Sequence, residues 1–358
     1  MTNLPLDLRA DLAELFATVV DTESVSGHET QLADAVEAAL SAYPHLAITR
    51  LGNALAARTE LGRDQRVIIA GHLDTVPPAA NLPSQWRQVD GQTTLWGRGS
   101  VDMKGGLTVQ LALAAALTEP AYDLTWFFYD NEEVSADRSG LLRFVQQRPD
   151  LLAADLAILM EPTAGRIEAG CQGTLRAELT TRGEAVHAAR SWLGHNAIHD
   201  LARALVILQT FAAPSIEVDG LTYREGLNAV AISGGIASNV IPDQASLQIN
   251  YRFAPDKTLT EAEAVVRALF QGYDLTLVDA APAARPGLNQ PLVQSLVAAV
   301  GGQVGPKYGW TDVARFAELG LPAVNFGPGD PNLAHRDDEA CALAEVVAVH
   351  DRLKAWLT

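Results

Sequence analysis

The sequence predicts an α/β protein. Its first domain is a mixed, largely parallel sheet flanked by helices, and an α+β domain of antiparallel sheet plus two helices is inserted within it. Three observations carry this. Continuous apolar runs, "RVIIAGHLD", "DLTWFFYDNEE" and "ADLAILMEPT", recur between helical segments. Strands buried on both faces in that rhythm belong to a sheet covered by helices. From about Thr174 the texture changes to alternation, in "LRAELTTRGEA", "GLNAVAISGG" and "ASLQINYRF", which suits strands with one face in a core. The first pattern then resumes with "LPAVNFGPG".

The elements follow in order. Residues 8–20 and 28–43 read as amphipathic helices, with Leu32, Ala35, Val36 and Leu40 at three- and four-residue spacing. "RVIIAGHLD" is a buried strand, "MKGGLTVQLALAAALT" a helix and "DLTWFFYDNEE" a strand. "SADRSGLLRFVQQ" is a helix and "ADLAILMEPT" a third strand. Helices are expected over 197–211 and 260–270 among the alternating strands. "DAAPAARPGLNQP" is a linker by its Pro and Gly content. The chain closes with a helix over 339–357. The predicted domains are therefore 1–173 with 286–358, and 174–285 between them. No internal repeat or low-complexity tract is visible.

Composition excludes more than it selects. The 358 residues are 48% hydrophobic, enough for a large core. The formal net charge of −17 argues against nucleic acid and anionic membranes as partners, since both are polyanions. The N-terminal "MTNLPLDLRADLAELF" has early acids and no long apolar core, so no secretory leader is expected. No apolar run reaches the ~20 residues of a membrane span, and a cytoplasmic location is expected. Cys171 and Cys341 are the only cysteines, without metal or disulfide spacing.

Each buried strand ends in an acid or a histidine. The first ends in "GHLDTVP", where His72 and Asp74 lie two apart and point the same way in an extended chain. A carboxylate beside a histidine holds its tautomer for metal binding. The second strand ends in the adjacent Glu132 and Glu133, and the third in Glu161 before Pro162. Asp102 lies in the glycine-rich "GRGSVDMKGG", and His335 in the turn-rich "FGPGDPNLAHRDDE". Singly, each has a plain use: a core histidine, a helix N-cap, a solvated first turn. Together they gather acids and imidazoles at the carboxyl edge of one sheet, where ligands collect. The acids would repel one another there unless cations neutralise them. Nitrogen and oxygen donors without thiolate suit Zn²⁺, with Co²⁺ or Mn²⁺ as substitutes. One carboxylate could bridge two metals ~3.5–4 Å apart that ready a water for attack. Of the two glutamates, one would face the metals and the other the water.

The order GHLDTVP, GRGSVDMKGG, NEEV, EPT and a late His before an acidic run resembles the M20 metallopeptidase family of zinc amidohydrolases. The likeness runs from about Glu23 to the last helix. It implies that His72 and Glu161 hold one Zn²⁺, that Glu133 and His335 hold the other, and that Asp102 bridges them. It further implies that Asp74 orients His72, that Glu132 is the general base, and that a cis peptide follows Asp102. The inserted domain would form a homodimer, and His187 in "GEAVHAARS" would reach the partner's active site to stabilise the oxyanion. Where many relatives have Asp-Glu-Glu, this chain has Asn131 before its glutamates.

Within the family, "EAGCQGTLRAEL", "HAARSWLGHNAIH", "SNVIPDQASLQINYRF" and "YGWTDVARF" look most like desuccinylases of the actinobacterial type. That likeness implies a small substrate with several carboxylates. The reaction would be hydrolysis of N-succinyl-LL-2,6-diaminopimelate to succinate and LL-2,6-diaminopimelate. Other activities of the same site remain open: acetylornithine deacetylase, aminoacylase, carboxypeptidase, or a binding module without catalysis. Substrate contacts are expected from Arg252, Asn239 and Thr311, with Arg98, Arg190, Lys307 and Arg315 as further candidates. Cys171-Gln172 stands where better-known desuccinylases carry an Arg pair that would clamp a carboxylate. His195 and His199 are expected at a helix start and on a solvated face. Gly327 and Gly329 are expected to allow a tight turn before His335.

Overall fold

A computed structural model describes residues 6–358. The reading of the N-terminus as lacking a leader rests partly on residues 1–5, which lie outside them. Among the described residues, no helix is long and apolar enough to cross a membrane.

The chain separates into two units. The first comprises the chain up to Ala169 with Gly287–Gly305 and Arg315–Thr358; the second comprises Gly170–Pro286 and Pro306–Ala314. The segment Pro306–Ala314 thus joins the second unit, where the sequence reading had left it with the first. Cys171 and Ala284 exchange backbone hydrogen bonds, and Gln172 N donates to Lys307 O at 3.2 Å. The first pairing joins the two ends of the second unit, and the second ties them to that returning segment.

The first unit is organised by an eight-stranded sheet. Its parallel centre runs Asp123–Tyr129, Arg66–His72, Leu156–Leu159 and Ala323–Asn325, with antiparallel strands outside. Asp123–Tyr129 is buried at every position, which explains its unbroken apolar run. Register aligns the strand ends: His72 faces Tyr129, and Ala70 faces Leu159. Whatever follows Tyr129, His72 and Leu159 therefore emerges at one edge.

The helix Lys104–Ala116 packs on this sheet and is almost wholly buried, which its Ala- and Leu-rich sequence anticipates. The first helix begins at Leu12 rather than Leu8, because Asp11 caps it by accepting from Glu14 N at 2.8 Å. The second is Thr30–Leu40, shorter than expected at both ends. The final helix starts at Leu343, not Glu339. Ala340–Ala342 pairs instead with Gln92–Trp96, so sheet pairing overrides helical pattern there.

The second unit carries a four-stranded antiparallel sheet. Its order is Gly226–Gly234, Gln244–Phe253, Gly173–Arg182, Asp274–Ala281. Alternate residues Leu175, Leu179, Leu247, Ile249 and Phe253 form its core with Val266 and Phe270. The helix Leu259–Leu269 starts at a capping box between Thr258 and Glu261. The helix expected over 197–211 is two pieces, Ala197–Asp200 and Ala202–Thr210. They part at Leu201, whose amide bonds Ile198 three residues back.

Candidate metal centre and active site

Three strand ends and two loops meet at the carboxyl edge of the first unit's sheet. His72 closes its strand and is 1% exposed. Its Nδ1 lies 2.9 Å from Asp74 O and 3.5 Å from Asp74 Oδ1. The backbone carbonyl is therefore the nearer partner of this imidazole, where the sequence suggested the carboxylate. That bond leaves Nε2 directed at Asp102 Oδ1, 3.2 Å away. Asp74, fully buried, keeps its carboxylate beside that imidazole and also anchors the next strand end: Oδ1 accepts from Glu132 N at 3.0 Å, and Oδ2 from Glu133 N at 3.1 Å and Ser26 Oγ at 2.7 Å.

Asp102 precedes the buried helix, and the Asp102–Met103 bond is cis. Its Oδ2 lies 3.3 Å from His335 Nε2, which also contacts Glu133 Oε1 at 2.8 Å. His335 sits at φ 64°, in the left-handed region. Asn131, at φ 59°, is there too, and Asn tolerates that conformation well. Its Nδ2 donates to Asp130 Oδ2 at 2.7 Å. An Asp at this position would set two carboxylates against each other, so Asn is the side chain this turn accepts. Arg143 grips the same Asp130 from the other side, at 3.0 and 3.2 Å.

Donor atoms of these residues form overlapping groups, each within 4.8 Å. One group is His72, Asp102 and Glu161; another is Asp102, Glu133 and His335; a third is His72, Glu132 and Glu133. Asp102 belongs to the first two. The donor set is imidazole and carboxylate, which fits borderline divalent metals such as Zn²⁺.

Electrostatics fit the same picture. Burial pulls the His72 pKa down, but hydrogen bonds to Asp102 and Asp74 outweigh it and hold it well above the ordinary value. Hydrogen bonds to Asp102 and then Glu133 push His335 up to about 10. Burial raises Asp102, yet its bonds to His335 and His72 win and keep it well below the usual carboxylate range. A metal ion bound here would compete with those protons, since imidazole and carboxylate ligate in their deprotonated forms.

The remaining residues fall out differently. Gly329 has φ 94°, as a turn requires. Gly327 does not; a Cβ there would press on the carbonyls of Met160 and Glu161, the latter 2.5 Å away. Close approach, not the turn, demands that glycine. Arg98 is 3% exposed and paired at 2.8 Å with Glu339, so it is enclosed rather than offered to substrate. Glu339, also buried, is a polar residue the sequence reading passed over as a helix start. Its one signal was a carboxylate four residues after His335, just ahead of an apolar run.

In the second unit, His187 is exposed, and its Nδ1 accepts from Ala189 N at 3.1 Å. In the neutral imidazole that bond leaves the ring proton on Nε2. Asn239 is exposed and accepts from Ala188 N through its carbonyl. Arg252 is half-buried and donates to Asn250 Oδ1 at 3.1 Å. Thr311 and Lys307 are buried. Arg190 is exposed. Cys171 is buried, its Sγ 3.8 Å from Thr311 O, and burial pushes its thiol up to about 11. His195 pairs with Asp200 at 2.6 Å, and His199 contacts Asn196; neither ring is in a metal-holding group.

Known proteins resemble this chain in sequence and fold. A family model for peptidase family M20/M25/M40 matches residues 68–358. A Mycobacterium tuberculosis protein with a provisional succinyl-diaminopimelate desuccinylase name is 54% identical, across 98% of this chain and 99% of its own. A succinyl-diaminopimelate desuccinylase of Corynebacterium glutamicum is 46% identical, across 99% and 98%. Among solved structures, a Staphylococcus aureus tripeptidase superposes with TM-score 0.80 at 17% identity, covering 99% of this chain and 98% of that one. A dinuclear metal-binding M20 peptidase of Bacillus subtilis gives TM-score 0.71 at 16% identity, covering 96% of each. Fold, strand-end residues and near-full-length relatives converge, and the chain belongs to peptidase family M20/M25/M40.

Proposed function

We propose that this protein hydrolyses the succinyl amide of N-succinyl-LL-2,6-diaminopimelate, releasing succinate and LL-2,6-diaminopimelate, with two Zn²⁺ ions per subunit and Co²⁺ as a possible substitute. The observation that carries the reading is the overlap at Asp102 of two residue groups that could each hold a metal ion. The substrate is supported by two desuccinylase-named relatives at 54% and 46% identity.

His72 and Glu161 would hold one ion, Glu133 and His335 the other, and Asp102 both. The bound pair supplies Lewis acidity toward the amide carbonyl and lowers the pKa of attacking water. The chain's own residues do the rest. Glu132 takes the proton from the water and later delivers it to the departing amine. Asp74 holds the amides of Glu132 and Glu133, which keeps base and ligand side by side. His187 donates from Nε2 to the developing oxyanion. Arg252, Asn239 and Thr311 bind the substrate's polar groups, Arg252 as the carboxylate partner.

The protein works as a homodimer in this reading, paired through the strand Gly226–Gly234 at one edge of the second unit's sheet. Val230 and Ile232 on that strand are exposed, as is Ile236 just beyond it. An unpaired apolar edge invites a second copy of itself. His187 would then serve the partner subunit's active site.

Metal analysis of the purified protein beside a substrate panel tests the proposal. It requires about two divalent ions per chain, loss of turnover on chelation, and fast hydrolysis of N-succinyl-diaminopimelate. Rapid turnover of N-acetylornithine or short peptides with none of the succinyl substrate would overturn the substrate. Full activity without metal would overturn the mechanism.

A further inference from the structure

A buried ion pair that touches no metal ligand side chain lies behind the site. Arg98 Nη1 and Glu339 Oε2 are 2.8 Å apart, and both side chains are almost fully enclosed. Removing two charges from water costs several kcal/mol per ion, so such a pair is a poor source of stability by itself. What it contacts is therefore informative.

Glu339 turns its other oxygen, Oε1, toward the backbone that leads into Asp102. It accepts from Val101 N at 3.0 Å and from Asp102 N at 3.1 Å. Arg98 reaches two further loops. Its Nη1 donates to Arg336 O at 3.2 Å, and its Nε to Pro77 O at 3.2 Å. Arg336 directly follows His335, and Pro77 is three residues beyond Asp74. Glu339 O also accepts from Gly97 N at 3.1 Å, which closes the ring of contacts. One ion pair thus ties together the loops that carry His72, Asp102 and His335.

We propose that the Arg98–Glu339 pair is the positioning device for the bridging carboxylate. It sets the backbone of Asp102 so that Oδ1 and Oδ2 meet His72 and His335 on opposite sides, at 3.2 and 3.3 Å. A bridge depends on both distances at once, so a small slide of this backbone opens one while it closes the other. Neither residue touches the reacting atoms; both act through Asp102. Partners of this kind typically govern metal affinity by about 10- to 100-fold.

The inference rests on the dinuclear reading above, and its test separates the two. Full-length protein is stripped with a chelator and titrated with Zn²⁺ against a competing chelator. The metal-free forms are compared by circular dichroism and urea unfolding. E339Q keeps an acceptor for the two amides but loses the charge facing Arg98. R98K keeps the charge but cannot reach both carbonyls and the carboxylate.

Each variant is expected to bind the metal pair about 10- to 100-fold more weakly, with an unchanged metal-free spectrum. With metal in excess, kcat should fall more than KM. A control, D123N, lowers stability far from the site and should leave metal affinity as in wild type. Wild-type affinity in both E339Q and R98K would overturn the proposal, as would a loss matched by D123N. If E339Q fails to fold, R98K decides alone. Wild type that takes up no divalent ion sinks the dinuclear reading first, and this inference with it.

Discussion

Asp74 Oδ1 accepts the backbone amide of Glu132 at 3.0 Å. The same carboxylate takes the next amide, Glu133 N, at 3.1 Å. A residue read from sequence as the orienter of a histidine lies 3.5 Å from that ring and also anchors the two adjacent glutamates. With both amides held to one carboxylate, successive side chains leave the backbone in different directions. That is how two like charges can be neighbours in sequence and serve different roles.

Asp74→Ala should therefore damage more than the His72 side. We expect kcat to fall about 10- to 100-fold even at saturating metal, because the Glu132–Glu133 turn loses its anchor. Steady-state kinetics at several Zn²⁺ concentrations checks this. Full rescue by added metal would assign Asp74 to ligand orientation alone.

Glu132→Gln removes the proton acceptor and keeps the shape. The expected loss in kcat is about 10²- to 10⁴-fold, with two metals still bound per chain. Metal content measured beside turnover separates the roles. Loss of one metal equivalent would make Glu132 a ligand instead.

Gly327→Ala places a methyl group against the carbonyls of Met160 and Glu161. Overpacking against backbone costs about 1–3 kcal/mol, and relief must move the segment that carries Glu161. Urea unfolding of the metal-free protein should show that loss, and metal titration a weaker site. An unchanged variant would mean that the 327 segment gives way freely.

Asp123 tests electrostatics away from the site. Burial raises its pKa, but the amides of Leu61 and Arg63, the Thr59 hydroxyl and Arg66 outweigh it, and the net shift is downward. A folded pKa below the unfolded value of about 3.9 means the stabilisation is present above that value. It is lost as pH falls through the lower, folded value. Asp123→Asn should cost about 1.5–3 kcal/mol at pH 7, and the gap from wild type should close in acid. Urea midpoints at pH 7 and near pH 3 check it; a constant gap would sink this account.

Ile232→Lys puts a charge on the exposed edge strand, a common way to block edge pairing. Sedimentation of wild type and variant should show a dimer and a monomer. Turnover should fall with dissociation if His187 acts across subunits. A monomeric wild type with full activity would remove both the dimer and that role.

Much of this protein was legible in one dimension. Buried parallel strands announce themselves as unbroken apolar runs, because both faces of Asp123–Tyr129 meet helices. His72, Asp102, Glu132, Glu133, Glu161 and His335 stand out together, because several strand ends and loops carry acids or imidazoles in one order. What the chain order could not reveal is which polar atoms face which. Asp74 sits beside His72 in sequence, yet its carboxylate also takes the amides of residues 58 and 59 positions away. Arg98 stood among the candidate substrate contacts, and Glu339 looked like the first turn of a helix. Only folding, which brings positions 241 apart to within 2.8 Å, encloses them as a pair behind Asp102. Local pattern reports burial and periodicity, since these depend on near neighbours. Hydrogen-bond partners across loops depend on where distant segments end in space, and the tertiary structure alone decides that.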